Sequence, residues 1–165
     1  MHRAALRDIP IIYTPPVQKQ TIGLGARVLA LAIALAALSV LIVAVVLSPA
    51  PAGVATHRAM GFAPCEFLER SNLPCPTCGM TTSFAHFVRG NWLASVYVQP
   101  MGFIVAVACG GLVWAGLYVT LTASPLHRLL QQLPALYTVP AIMAFAIAAW
   151  AWKIFIHLRG VDGWG

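Results

Sequence analysis

Hydrophobic positions fall into three long runs, and polar residues, Pro and Gly recur between them. Val28 to Leu47 is twenty residues without a charge. That length crosses a hydrocarbon core of ~30 Å at ~1.5 Å per residue. The second run, Met101 to Ala123, is also free of charge. Gly102, Ala106 and Gly110 recur there at every fourth position, with Gly111 and Ala115 repeating the interval. Small residues at that spacing let helix backbones approach closely in lipid. The third run, about Leu136 to Trp152, has Tyr137 near one end and Trp150, Trp152 and Lys153 near the other. That arrangement matches an aromatic belt with a snorkelling lysine. Between the second and third runs, Ser124 and Pro125 open a stretch in which Leu126, Leu129, Leu130 and Leu133 follow helical spacing until Pro134. It reads as a short amphipathic helix on the membrane surface, with His127 and Arg128 on its wet face. The pattern predicts an all-α integral membrane protein with three transmembrane helices, at 27–47, 101–123 and 136–157. Around them lie a polar arm (1–26), a loop of short interfacial or re-entrant helices (48–100), the surface helix (124–135) and a tail (158–165).

Composition narrows the class. Residues of the AVILMFWYC set make up 60% of the chain and charged residues 8%, against roughly 25% charged in a soluble domain. A soluble domain of this size has too little interior to hide so much apolar surface. Soluble enzymes, disordered tails and nucleic-acid binders are excluded. The formal charge of +6 comes from scattered residues and forms no patch. The partner implied throughout is the lipid bilayer. Ala50-Pro51-Ala52 resembles a signal-cleavage site, but the run before it exceeds the ~7–15 apolar residues of a signal peptide and reads as a retained anchor. Arg3, Arg7, Lys19 and Arg27 precede the first span, against Arg58 close behind it. The positive-inside rule then places the N-terminus in the cytoplasm and the 48–100 loop outside the inner membrane. Over the whole chain the basic residues tie, so the orientation rests on the first span.

The 48–100 loop holds Cys65, Cys75, Cys78, His57, His86, Glu66 and Glu69. Its centre reads Pro74-Cys75-Pro76-Thr77-Cys78-Gly79-Met80-Thr81-Thr82. The prolines stiffen the approach, and Gly79 permits a turn that a side chain resists. Thr81 or Thr82 is placed to cap a helix through about Arg89, with Gly90 at its end. That helix is too short to cross a membrane. Asn91 is placed to cap a second helix, Trp92 to Gln99, and Pro100 marks the bend into the second span.

This segment resembles the hallmark of a family of small bacterial integral membrane proteins described as domain of unknown function 2752. The matching positions are Cys65, Cys75, Pro76, Cys78, Gly79, Thr81, Gly90 and, with Gln99 in place of the family's Asn, Pro100, and the resemblance covers roughly residues 60–160. One departure is Thr82, where most members carry Arg, so no anion-binding or ion-pairing role for that Arg carries over. The resemblance implies a multi-pass membrane protein and brings no activity with it.

Three chemistries fit the cysteines. Cys75 and Cys78, three residues apart around a turn, have common zinc-ligand spacing, and Cys65 and His86 complete a four-ligand set. The same pair fits a thiol–disulfide oxidoreductase, with a helix N-terminus lowering one thiol's pKa. A Cys65–Cys75 or Cys65–Cys78 disulfide would pin the loop, contributing ~2–3 kcal/mol. Cys109, inside the second span, reads as a packing residue. His157 reads as interfacial, His57 has no partner set by spacing, and Glu66 and Glu69 look like a solvated turn near Arg70. The favoured expectation is a non-enzymatic membrane component with a zinc or disulfide clip and a protein partner in the membrane. No residue is assigned a catalytic or cofactor-binding role.

Overall fold

The computed structural model describes residues 22–126 and 134–164. The polar arm up to residue 21 and most of the expected surface helix (127–133) lie outside the described residues, as does the side chain of His57. The described chain is helical, without a strand. Three helices are long and apolar enough to cross a membrane: α1 (Leu24–Val46), α5 (Pro100–Thr122) and α6 (Ala135–Leu158). In lipid a helix satisfies its own backbone groups, which is why uncharged runs of this length settle into this form. Pro100 occupies the first helical position of α5, where its missing N–H costs nothing. Ala123, in the left-handed conformation at φ 53°, ends it.

The large apolar side chains of these helices point outward (Leu121 is 80% exposed, Leu24 75%), as expected of surfaces that meet lipid. α1 and α5 pack against each other along their length. At one end a Cβ on Gly116 would stand 2.7 Å from both the Ala30 carbonyl oxygen and Ala34 Cβ, so only glycine fits. There Ile22 N–H donates to the Ala123 carbonyl at 3.0 Å, and Arg27 Nε to that of Thr120 at 2.9 Å. The repeats read in α5 divide differently. Gly102 abuts Ser83, where a Cβ would come within 2.8 Å, and Ala106 is buried, whereas Gly110 and Gly111 face open space.

At the opposite end, residues 47–99 form a cap. It contains a 3₁₀ turn (Thr56–Met60), α2 (Glu66–Ser71), α3 (Met80–Val88) and α4 (Trp92–Val98). Asn91 caps α4 by accepting the Ala94 N–H at 3.3 Å. The start of α3 differs from the expectation. Gly79, not a threonine, is its N-cap, because Thr82 is buried and its hydroxyl meets that of Thr56 at 2.8 Å. Ser83 and Ser95 lock α3 to α4, their hydroxyls 2.8 Å apart and each donating to the other's carbonyl. The Arg89 guanidinium donates to the Ala44 and Val45 carbonyls at 3.3 and 3.0 Å, closing the C-terminal end of α1. Phe84 seats the cap on Ala44 and Ala106.

α6 touches α5 sparingly and is held chiefly at its C-terminal end, by the cap. Trp150 Nε1 donates to the Pro74 carbonyl at 2.9 Å and Trp152 Nε1 to that of Tyr97 at 2.8 Å. Lys153 does not snorkel. It is fully buried, its ammonium 3.1 Å from an Asp162 oxygen and 3.3 Å from the Gly53 carbonyl. The cap and the tail after α6 therefore share one end of the molecule, and the α5–α6 connection lies at the other.

Candidate metal centre

Two chain segments bring three thiols together. Cys65 stands at the N-terminal boundary of α2, behind Pro64, and its carbonyl accepts the Glu69 N–H at 3.1 Å. Cys75 and Cys78 close a turn in which the Cys78 N–H donates to the Cys75 carbonyl at 3.0 Å. Gly79 then adopts φ 85°, and a Cβ there would stand 2.8 Å from the Gly53 carbonyl oxygen. Both backbone freedom and space thus require glycine. The turn is fixed from outside as well. Pro74 is fully buried with its carbonyl held by Trp150, and the Pro76 carbonyl accepts from Gln99 Nε2 at 2.8 Å.

The sulfur atoms of Cys65, Cys75 and Cys78 lie within 4.8 Å of one another, and those of Cys75 and Cys78 are 3.1 Å apart. Tetrahedral zinc–thiolate bonds of ~2.3 Å set sulfurs ~3.8 Å apart, so small side-chain adjustments bring all three onto one ion. No cysteine is disulfide-bonded in this structure. A cavity of about 360 Å³ opens over the sulfurs, lined also by Thr77, Met80 and Thr81.

The paired thiols differ in acidity. Burial pushes Cys78 up to about 12, and its hydrogen bond with Cys75 adds to the rise. Burial also acts on Cys75, but hydrogen bonds to Thr77, Cys78 and Cys65 favour its thiolate and hold it below the ordinary thiol value. An ion that displaces the protons would find one ligand already inclined to ionise and another that ionises only against the metal's charge.

His86 is not among the clustered groups. It lies six residues along α3, ~9 Å of helix rise from Met80, and burial followed by the Arg89 charge keeps its pKa below the usual histidine value. The four-ligand set read from the sequence therefore reduces to three thiols, because the helix carries the imidazole away from the turn. Cys109 packs beside Ala44, Phe84 and Ala106, as a small apolar residue does. Glu66 pairs with Arg70 one turn along α2, both well exposed, and forms no acid–base site. His157 Nδ1 meets Asp162 Oδ2 at 2.5 Å.

The residues that build this site without being read from the sequence are Gly53, Gln99, Trp150 and Lys153. Trp150 and Lys153 carried a signal, aromatic and charged residues at a helix end, but the same signal suits a membrane interface. The contacts of Gly53 and Gln99 carried none, since the Gly53 carbonyl accepts from Lys153 and Gln99 donates to the Pro76 carbonyl, both far away in the chain.

Residues 65–113 match the family model described as Protein of unknown function (DUF2752), which spans all three clustered cysteines and runs into α5. The comparisons with curated proteins and with solved structures return no match.

Proposed function

We propose that Cys65, Cys75 and Cys78 bind one zinc ion, and that this clip fastens α2 to the Cys75–Gly79 turn at the end of a multi-pass membrane protein. The observation that carries it is the convergence of three free thiols from two segments within 4.8 Å. Soft thiolates suit zinc, which has no redox demands and accepts adjustable geometry. The fourth position faces the cavity over the sulfurs, where water or a donor from outside the chain completes the shell. Exposed Phe62 and Phe67 bracket Cys65, and we assign to them the docking of a protein partner in or at the membrane. The cap lies outside the cytoplasmic membrane and the N-terminus within the cytoplasm, supported by the basic residues ahead of α1. The role is architectural, not catalytic.

Metal analysis of the full-length protein, purified under reducing conditions, tests this reading. About one zinc per chain is expected, lost in the Cys75→Ser/Cys78→Ser double variant together with a lower folded yield in the membrane. A metal-free protein containing a stable Cys75–Cys78 disulfide would overturn it and assign the pair to thiol–disulfide exchange.

A further inference from the structure

Lys153 belongs to a helix end where lysines ordinarily extend toward water. Here it turns inward and has no exposed surface. Its stem runs beside the turn that carries Cys78. A Cβ on Gly79 would stand 3.4 Å from Lys153 Cε, so the stem runs close beside the turn. Its ammonium is pinned by Asp162 Oδ1 at 3.1 Å and the Gly53 carbonyl at 3.3 Å. The other Asp162 oxygen is held by His157 at 2.5 Å. An apolar side chain would fill this volume without the desolvation cost of a buried charge. Packing alone therefore does not account for a lysine.

We infer that Lys153 is a positioning residue for the metal centre: paired with Asp162, it sets a buried ammonium beside the thiolate turn, where the positive end of that pair offsets part of the negative charge of the three-thiolate complex. The inference rests on the metal reading. Three thiolates on a divalent ion leave a net charge of −1, which is costly in a cap seated on a bilayer unless an opposite charge stands nearby. Asp162 and His157 fix where that charge sits, and the Gly79 turn fixes the thiolates relative to it. The third span thereby contributes to the site electrostatically while supplying none of its ligands.

The test compares Lys153→Gln and Lys153→Arg in the full-length protein in detergent, with zinc affinity measured by chelator competition and the thiolate-to-cobalt charge-transfer band recorded after Co(II) loading. Gln keeps donors for Gly53 and Asp162 but removes the charge; Arg keeps the charge. Lys153→Gln should still bind one zinc at saturation but about tenfold more weakly, because a positive charge near the thiolates is removed. Its charge-transfer band should move to lower energy, because the sulfur electrons lose a stabilising cation. Lys153→Arg should keep both properties close to wild type. An unmoved band in Lys153→Gln, with or without weaker zinc, would make Lys153 a structural tie only, as would a Lys153→Arg variant as weak as Lys153→Gln. Failure of Lys153→Gln to fold would also favour the tie unless Lys153→Met, packing the same volume, folds and shows the shifted band. A wild-type protein without zinc would overturn the metal reading and this inference together, whereas normal wild-type zinc with an unaltered Lys153→Gln would overturn this inference alone.

Discussion

Cys75 and Cys78 are identical residues in one turn, yet the fold makes them chemically unequal. Cys78 is buried, with its thiol pushed up to about 12, while hydrogen bonds hold Cys75 below the ordinary value of 9.0. Thiolates are the species that react with alkylating agents. In reduced, metal-free protein, iodoacetamide near neutral pH should therefore modify Cys75 well before Cys78, read by site-resolved mass spectrometry, and equal rates would contradict the asymmetry. The sign for stability follows from linkage. The raised Cys78 thiol contributes stability in full below the unfolded-state value near 9, and that contribution is lost as pH rises through about 12. The sequence announced a turn, a ligand pair and one thiol of lowered pKa, but not which sulfur is buried or that hydrogen bonds to neighbouring side chains set the difference. Gly79 was legible as the turn's glycine; its second constraint, the Gly53 carbonyl pressing on it, comes from a segment 26 positions away.

At the scale of elements, hydropathy made the spans readable, because a bilayer imposes a length and a composition that hold regardless of neighbours. Helix contacts were harder to read, since the same small residues serve packing and accident. Gly110 sits in the regular four-residue pattern yet faces open space, whereas Gly116, outside that pattern, is packed tightly against α1. A methyl at residue 116 would meet backbone oxygen as well as Ala34 Cβ, and neither is a flexible side-chain end that moves cheaply. Gly116→Ala should separate the helices and destabilise the protein by ~1–3 kcal/mol. Gly110→Ala should be neutral or slightly stabilising through better helix propensity. Thermal unfolding of the two variants in one detergent makes the comparison; equal midpoints would mean that α1 and α5 do not pack as described. The short helices show the same limit in another form. Asn91 was readable as a cap because capping is local, while Thr82 was not readable as a partner of Thr56, because that hydroxyl pair exists only once the cap folds.

For the molecule as a whole, the arrangement of ends decides what each compartment meets. The C-terminal end of α1, the N-terminal end of α5 and the C-terminal end of α6 converge on the cap, through Arg89 at α1, Gln99 ahead of α5, and Trp150 and Lys153 on α6. Every thiol of the cluster therefore faces one side of the bilayer, opposite the turn near Ala123. Cys109 lies within α5, half-buried against the packed helices, and is screened from an aqueous reagent by lipid and protein. Labelling with a charged maleimide that does not cross membranes can thus report the cap alone. The proposed orientation, drawn from Arg3, Arg7, Lys19 and Arg27 ahead of and in the first turn of α1, puts that end in the cytoplasm. In intact spheroplasts, after mild reduction and chelation of bound metal, the maleimide should then react with Cys65 and Cys75, and a Cys65→Ser/Cys75→Ser/Cys78→Ser variant should remain unlabelled. Labelling that appears only after the membrane is opened would place the cap on the cytoplasmic side. The three spans and the cluster would be unchanged by that result, but the thiols would sit in a reducing compartment, where a metal clip is maintained without protection from oxidation.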